Sequence, residues 1–249
     1  MDDPQLVRKL LRDVVFMEVA GINPVIVHGG GKAISAAMKE SGLEEAKFVG
    51  GQRVTTDEAM SIVEKTLSEV INPGLVKSLI SFGGRAVSVP GSRAFIGGRL
   101  NEELCRVGKV IDIDLAEIES AIAEEVVPVV SPIARESETG LSLNVNADLA
   151  ASALASKLKA SKLVFLSDVR GLMQDPADDS TLIPSLKVDE VDGLIKDGTI
   201  GGGMIPKVRS SVEALEAGVG KVHMVDGRVS HSLLLEIFTE SGIGTEIVK

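Results

Sequence analysis

Apolar positions recur along this chain with two periods, and the two alternate. Leu6, Leu10, Leu11, Val14 and Val15 form a stripe at helical spacing. Asp3-Pro4 supplies an N-cap and a first-turn proline, and Gly21 a stop. Residues 25–27 are a β-branched run, the pattern of a buried strand, and 32–39 read as a helix. Thr55 and Glu58 are spaced as a capping box for a helix to about Val70, and 74–82 predict another helix. A strand at 86–89 leads into a glycine-studded hairpin region at 90–108. A strand at 109–113, a helix at 115–125 and a buried strand at 126–130 follow. Beyond an alanine-rich helix at 149–159 the pattern predicts a strand at 163–166 and a helix at 208–217. The last elements are a strand at 221–225, a helix at 232–238 and a strand at 245–248. Strands alternating with helices predict an α/β fold, a mostly parallel central sheet covered on both faces in a three-layer αβα sandwich.

Two glycine clusters punctuate that alternation. The first, Pro24-Val25-Ile26-Val27-His28-Gly29-Gly30-Gly31, runs from strand through glycines into a helix. That layout points backbone N–H groups and a helix N-terminus at an anion. Its plain alternative is a tight β-to-α turn with no ligand. It is not a P-loop, since Ala33 follows Lys32 where Ser or Thr is needed. Nor is it a dinucleotide fingerprint, since Ile34 stands where the third glycine belongs. The second cluster, Gly201-Gly202-Gly203-Met204-Ile205-Pro206-Lys207, opens the 208–217 helix. A lysine in a first turn gains nothing from the helix dipole, and a bound anion would explain Lys207. One cluster in each half predicts two anionic ligands meeting across a cleft.

Composition narrows the classes. The chain has 249 residues, 44% of them hydrophobic, enough for one large α/β domain or two lobes. A net charge of −10 and 2% aromatics argue against a nucleic-acid surface. The single cysteine, Cys105, leaves no internal disulfide and fits a reducing, cytoplasmic setting. No apolar run approaches the roughly 18 residues of a membrane span, and no apolar signal region opens the chain.

Asn144, Asn146 and Asp148 crowd polar groups into a helix start. An Asx turn with an N-cap would use some of them, and a ligand the rest. Arg53, in a loop, is either a fork donor for a carboxylate or an ordinary surface arginine. His28, His223 and His231 show no metal-ligand spacing, and His223 reads as a core residue of an apolar strand. The acid pairs Glu44-Glu45 and Asp178-Asp179 read as solvated loops. Asp168 and Gly171 follow a strand end, where ligands of open α/β sheets gather. Together these are the parts of a phosphoryl-transfer site, built from backbone amides and cations. A carboxylate acceptor needs no base, because a free Glu side chain titrates near ~4.3.

Several segments in order resemble N-acetylglutamate kinase of the amino-acid kinase superfamily. They are residues 21–31, Arg53-Val54-Thr55, 128–132, 144–148, 166–171 and 202–207. The resemblance implies ATP-dependent phosphorylation of N-acetyl-L-glutamate to the acyl phosphate, a step of arginine biosynthesis, in two lobes. Residues 1–147 would take the amino acid and 148–249 the ATP. Gly29, Gly30 and Gly31 would cradle the acceptor and the moving phosphoryl group, Arg53 the α-carboxylate, and Asn144 and Asn146 the rest. Asp148 would orient catalytic lysines and Lys207 stabilise the phosphoryl group. Ser167, Asp168, Gly171, Gly203 and Met204 would line the ATP site, with Mg2+ held by the phosphates and no dedicated protein metal site. A related acceptor, such as an N-acyl-aminoadipate, a carbamate or aspartate, is the alternative within enzymes.

The family begins with a strand ending in Lys-x-Gly-Gly-x-x-Met, and Met1 stands at that motif's methionine. This reads as a truncation or a late start, and a regulatory homologue without activity is the reading it opens. The tail resembles that of arginine-inhibited members, implying an L-arginine site among His223, Glu236 and Gly242. No extra N-terminal helix is seen, which implies a homodimer in place of a hexamer.

Overall fold

The structure, a computed structural model, describes residues 3–43, 47–175, 177–239 and 241–249. Glu44 and Glu45 lie outside the described residues. Internal contacts divide the chain into two units, Val14–Ala150 and Met1–Asp13 with Ala151–Lys249.

Helix α1 (Pro4–Val19) starts where the sequence reading puts it, with the Asp3 carboxylate accepting from Gln5 N at 2.8 Å. Gly21, at φ +82°, lets Ile22 N reach back to Met17 O at 3.0 Å, closing the helix with the left-handed residue that such a stop needs. In the Val14–Ala150 unit follow β1 (Ile26–Val27), α2 (Gly31–Glu40), β2 (Phe48–Val49), β3 (Gln52–Arg53) and α3 (Asp57–Glu64). Next come α4 (Asn72–Ser81), β4 (Ala86–Val89), α5 (Gly91–Ala94), β5 (Phe95–Arg99) and β6 (Val107–Ile113). Then α6 (Ala116–Ala123), β7 (Val127–Val130), β8 (Ile133–Glu136) and β9 (Ser142–Val145) complete it.

Strands β1, β7 and β4 pair in parallel with β7 at the centre, Ile26 opposite Val129 and Val89 opposite Val130. All four residues of β7 are buried, whereas β1 is half-buried. The sequence reading expected β1 to be buried as well. It pairs on one side only, and an edge strand is covered less. Helices α4 and α6 pack on β4 and β7.

The expected hairpin is part of something larger. Strands β5, β6, β9 and β8 close into a four-stranded barrel, and the sequence reading missed β8 and β9, which are four residues each and partly polar. The capping expectation also shifts by one residue. Thr56, not Thr55, caps α3, accepting from Ala59 N at 3.3 Å. Thr55 is buried, and its hydroxyl donates to Arg53 O at 2.8 Å. The two helices expected at 55–70 and 74–82 are one run. Helix α3 passes through a π-helical stretch, Lys65–Ile71, directly into α4. Pro73, which lacks an N–H, enters α4 just after this wider register, where a missing donor is accommodated.

In the second unit lie α7 (Ala147–Leu158, which crosses the division at Ala150), β10 (Lys162–Ser167), β11 (Ser185–Lys187) and α8 (Val188–Lys196). After these come α9 (Met204–Glu216), β12 (Lys221–Asp226), α10 (Ser232–Phe238) and β13 (Thr245–Val248). The sheet order is β10-β12-β13-β11, with β13 antiparallel to β12 and the other pairings parallel. Its core gathers Phe165, Leu186, Val208, Leu215, Val222, Met224 and Ile247, with α9 and α10 packed on β12. Helix α9 starts four residues before the expected 208, because Met204 N and Ile205 N already reach Gly201 O and Gly202 O. Pro206 is therefore its third residue and Lys207 its fourth. Three-residue β11 and the nine-residue helix after it were not predicted from the sequence. The fold is α/β, with parallel strands in both units.

Candidate active site

Within the Val14–Ala150 unit a cavity of about 410 Å3 is lined by Gly29, Gly30, Gly31, Arg53, Asn144 and Asn146, the six acceptor residues named from sequence. Their elements explain why they converge. The glycines leave β1 and enter α2, Arg53 ends β3, and Asn144 and Asn146 flank the end of β9. The three glycines differ in what holds them. A Cβ on Gly30 would lie 2.6 Å from the terminal methyls of both Leu67 and Ile71 of the π-helical stretch, so a side chain there would require both to shift. A Cβ on Gly31 would meet nothing within 4 Å, and one on Gly29 only Ala147 at 3.9 Å. Neither has a positive φ. Nothing in the protein itself requires glycine at these two positions, whereas a ligand approaching the backbone would.

Arg53 is 8% exposed. Its Nη2 donates to Gly31 O and to Ser35 Oγ, both at 2.9 Å, and its guanidinium lies 4.9 Å from the Phe48 ring centre. Burial pulls its pKa below the usual arginine range. No carboxylate pairs with Arg53 among the described residues, which is a rare condition for so buried a charge. Asn144 donates through Nδ2 to Thr55 Oγ1 at 3.0 Å. Asn146 Oδ1 accepts from Leu149 N at 3.1 Å, so that oxygen serves as the helix cap and its amide nitrogen is the part left for a ligand. Asp148 is in the first turn of α7.

The second unit has its own cavity, of about 420 Å3, lined by Asp168, Gly171 and Met204 among the residues named from sequence. Ser167, Gly203 and Lys207 do not line it. The Ser167 hydroxyl donates to Val169 O at 3.3 Å, Gly203 is the N-cap of α9, and the Lys207 ammonium lies 5.7 Å from the Phe165 ring centre. A Cβ on Gly171 would come within 2.5 Å of Thr245 Oγ1. The cavity adds Arg170, Thr199 and Arg228, which the sequence reading did not single out. Arg228 follows the carboxyl end of β12, so the strand-end rule that marked Asp168 would have marked it too. It grips Asp226 with Nε–Oδ1 2.9 Å and Nη2–Oδ2 2.8 Å, and this bond holds the Asp226 carboxyl below its usual range. In the first cavity the unforeseen contributors are Phe48 and Ser35.

In the tail, Glu236 is buried and already engaged. His223 Nδ1 lies 2.6 Å from its Oε1, and Oε2 accepts from Ile243 N and Gly244 N at 2.7 and 2.9 Å. Burial pushes this carboxyl up, but the bonds from His223, Ile243 and Gly244 outweigh it and leave the pKa below the usual range. Gly242, at φ +62°, sits so close that a Cβ would be 2.7 Å from Glu236 Oε2. His231 Nδ1 lies 2.7 Å from Asp13 Oδ1. Among the described residues no three His, Cys, Asp or Glu side chains converge to hold a metal ion, and no helix is long and apolar enough to cross a membrane.

Comparison with known proteins points one way. The family model for the amino acid kinase family matches residues 1–226. The acetylglutamate kinase of Akkermansia muciniphila is 56% identical, over all of this chain and 86% of that protein. The acetylglutamate kinase of Heliobacterium modesticaldum is 41% identical, over all of this chain and 88% of its own length. Among solved structures, N-acetylglutamate synthase from Neisseria gonorrhoeae, complexed with coenzyme A and N-acetyl-glutamate, superposes with a TM-score of 0.85. It is 24% identical, with 99% of this chain and 57% of that one covered, a likeness of fold.

Proposed function

The chain belongs to the amino acid kinase family, and on that footing we propose that it phosphorylates the side-chain carboxylate of N-acetyl-L-glutamate with ATP, giving N-acetyl-L-glutamyl 5-phosphate. The observation that carries the reading is the buried Arg53, with no carboxylate partner among the described residues, beside glycine amides in one cavity. Its fork takes the α-carboxylate in two charge-assisted bonds. Asn144 and the free amide of Asn146 take the N-acetyl and backbone groups. The side-chain carboxylate is ionised at neutral pH and attacks the γ-phosphorus directly. The new bond joins carboxylate oxygen to phosphorus, the bond to the β,γ-bridging oxygen breaks, and ADP leaves with that electron pair. No proton has to move, which fits a cavity without a base-and-nucleophile pair.

Phosphoryl transfer requires positive charge, which the amides of Gly29–Gly31 offer in the acceptor's unit and the Lys207 ammonium offers in the nucleotide's. Asp168, Gly171 and Met204 hold the nucleotide in the unit from Ala151 onward, and Val14–Ala150 takes the amino acid. Mg2+ held by the nucleotide's phosphates would neutralise their charge. Asp168 is an oxygen donor of the type such a hard cation accepts beside phosphate and water. The finer reading adds the arginine pathway, a cytoplasmic setting, a homodimer and feedback by L-arginine near His223, Glu236 and Gly242.

ADP release measured with N-acetyl-L-glutamate, an N-acyl-aminoadipate, aspartate and carbamate tests the assignment. The expected result is the highest kcat/KM with N-acetyl-L-glutamate. A higher value with the longer acid would move the substrate assignment, and ADP release independent of any acceptor would remove it.

A further inference from the structure

His28 ends the approach to the glycine loop and is itself buried. Both of its ring nitrogens are engaged. Nδ1 lies 2.9 Å from the Gly29 carbonyl oxygen, and Nε2 lies 3.2 Å from Asn72 Nδ2. The same Nδ2 donates to Val129 O at 2.8 Å, which settles which end of the Asn72 amide is nitrogen. An amide nitrogen only donates and a carbonyl oxygen only accepts. Nε2 must therefore accept, and Nδ1 must carry the proton. The surroundings admit one neutral tautomer, and burial pushes the His28 pKa down in the same sense. Asn72 is almost fully buried, and its Oδ1 has no partner among the described residues. The fold carries that cost and keeps both donors.

The bond to Gly29 has a consequence one atom further on. The peptide unit is planar and trans, with N–H opposite C=O. The Gly29 carbonyl and the Gly30 N–H belong to the same plane. Turning that carbonyl toward His28 turns the Gly30 N–H away from it. A side chain at Gly30 would run into the terminal methyls of Leu67 and Ile71, in the stretch that runs directly into Asn72. The ring that sets this peptide is thus itself fixed by the residue that follows the π-helical turn. The Gly30 N–H forms no hydrogen bond among the described residues, and Gly30 lines the acceptor cavity.

We propose that His28 is a positioning residue: kept in its Nδ1–H form by Asn72, it locks the Gly29–Gly30 peptide so that the Gly30 N–H is presented to the transferred phosphoryl group. The lock is a statement about geometry; its use at the phosphoryl group rests on the kinase reading above. His28 does not touch the reacting atoms. Its effect belongs to the transition state, where amide donors aimed in advance matter most.

Two isosteres separate the two bonds. His28→Asn keeps a donor at the Nδ1 position, and His28→Gln keeps an acceptor at the Nε2 position. The expected result is a kcat lowered by about 10–100-fold in His28→Gln but only a few-fold in His28→Asn, with KM for both substrates within about 2-fold. Equal kcat in the two variants would overturn the proposal and leave a packing role. A second measurement needs no turnover. In 15N NMR of the full chain without ligand, the His28 ring should be protonated at Nδ1 at neutral pH, and Asn72→Ala should mix the tautomers. A wild-type ring protonated at Nε2 overturns the lock whatever the protein turns over. A ring protonated at Nδ1 in a protein with no ATP turnover would overturn the kinase reading and leave the lock standing.

Discussion

Arg53 in the first cavity and Arg228 in the second are held in opposite conditions. Arg53 is buried, and its donors rest on neutral acceptors, the Gly31 carbonyl and the Ser35 hydroxyl, beneath the Phe48 ring. No carboxylate among the described residues meets its charge. Arg228 is about half exposed, and its Nε and Nη2 donors are already bonded to Asp226. A charge in a dry site interacts several-fold more strongly than one in water, where the dielectric screens it. The acceptor cavity thus keeps its strongest electrostatic interaction for the ligand. In the other cavity the Arg228–Asp226 pair holds the turn after β12, and ligand affinity has to come from Arg170, Asp168, the backbone and the other lining groups.

The largest effect should come from the cation least like either arginine. Lys207, on α9 above the Phe165 ring, is assigned to the transition state, so Lys207→Met should lower kcat by ~10²–10³-fold with little change in KM for ATP. Steady-state kinetics decides it: a raised KM for ATP at unchanged kcat would make Lys207 a ground-state nucleotide anchor. Next in size is Arg53→Lys. A lysine cannot reproduce the fork, and loss of charge-assisted bonds worth about 1.5–3 kcal/mol should raise KM for the amino acid by ~10–100-fold. An unchanged KM would place the α-carboxylate elsewhere and erase the contrast with Arg228.

The smallest effect probes Arg228 itself and is read as acid stability. Arg228 depresses the folded-state pKa of Asp226 below its unfolded value near ~3.9. The corresponding stability is present above that unfolded value and is lost as pH falls through the folded one. Thermal melts between pH 5 and pH 2 should therefore fall less steeply for Arg228→Gln than for the wild type. Parallel curves would show that the pair contributes nothing to folding.

Much of this was legible in the chain. Residues at helical or strand period announced α1, α2, β4, α6, β7, β10 and β12, because burial of one face imposes its own spacing on the residues. The glycine runs and Arg53 stood out because their chemistry does not depend on which neighbours fold against them. That six acceptor residues share one cavity was an expectation from resemblance, and only the fold brings residues 29–31, 53 and 144–146 into one wall.

What lay beyond the sequence has a common physical cause. The strands β8 and β9 carry polar residues that break the apolar run, β11 has only three residues, and all three exist through partners distant in the chain. The π-helical passage from α3 to α4 hid behind Pro73, which reads locally as a break. Thr56 took the cap because Thr55 was drawn into the interior beside Arg53 and Asn144. His28 shows the limit most clearly. From sequence it was a histidine without metal-ligand spacing. Its tautomer, and with it the direction of a neighbouring amide, was decided by Asn72, 44 residues away, because a proton's place on a buried ring is set by whichever donors and acceptors the fold brings to it.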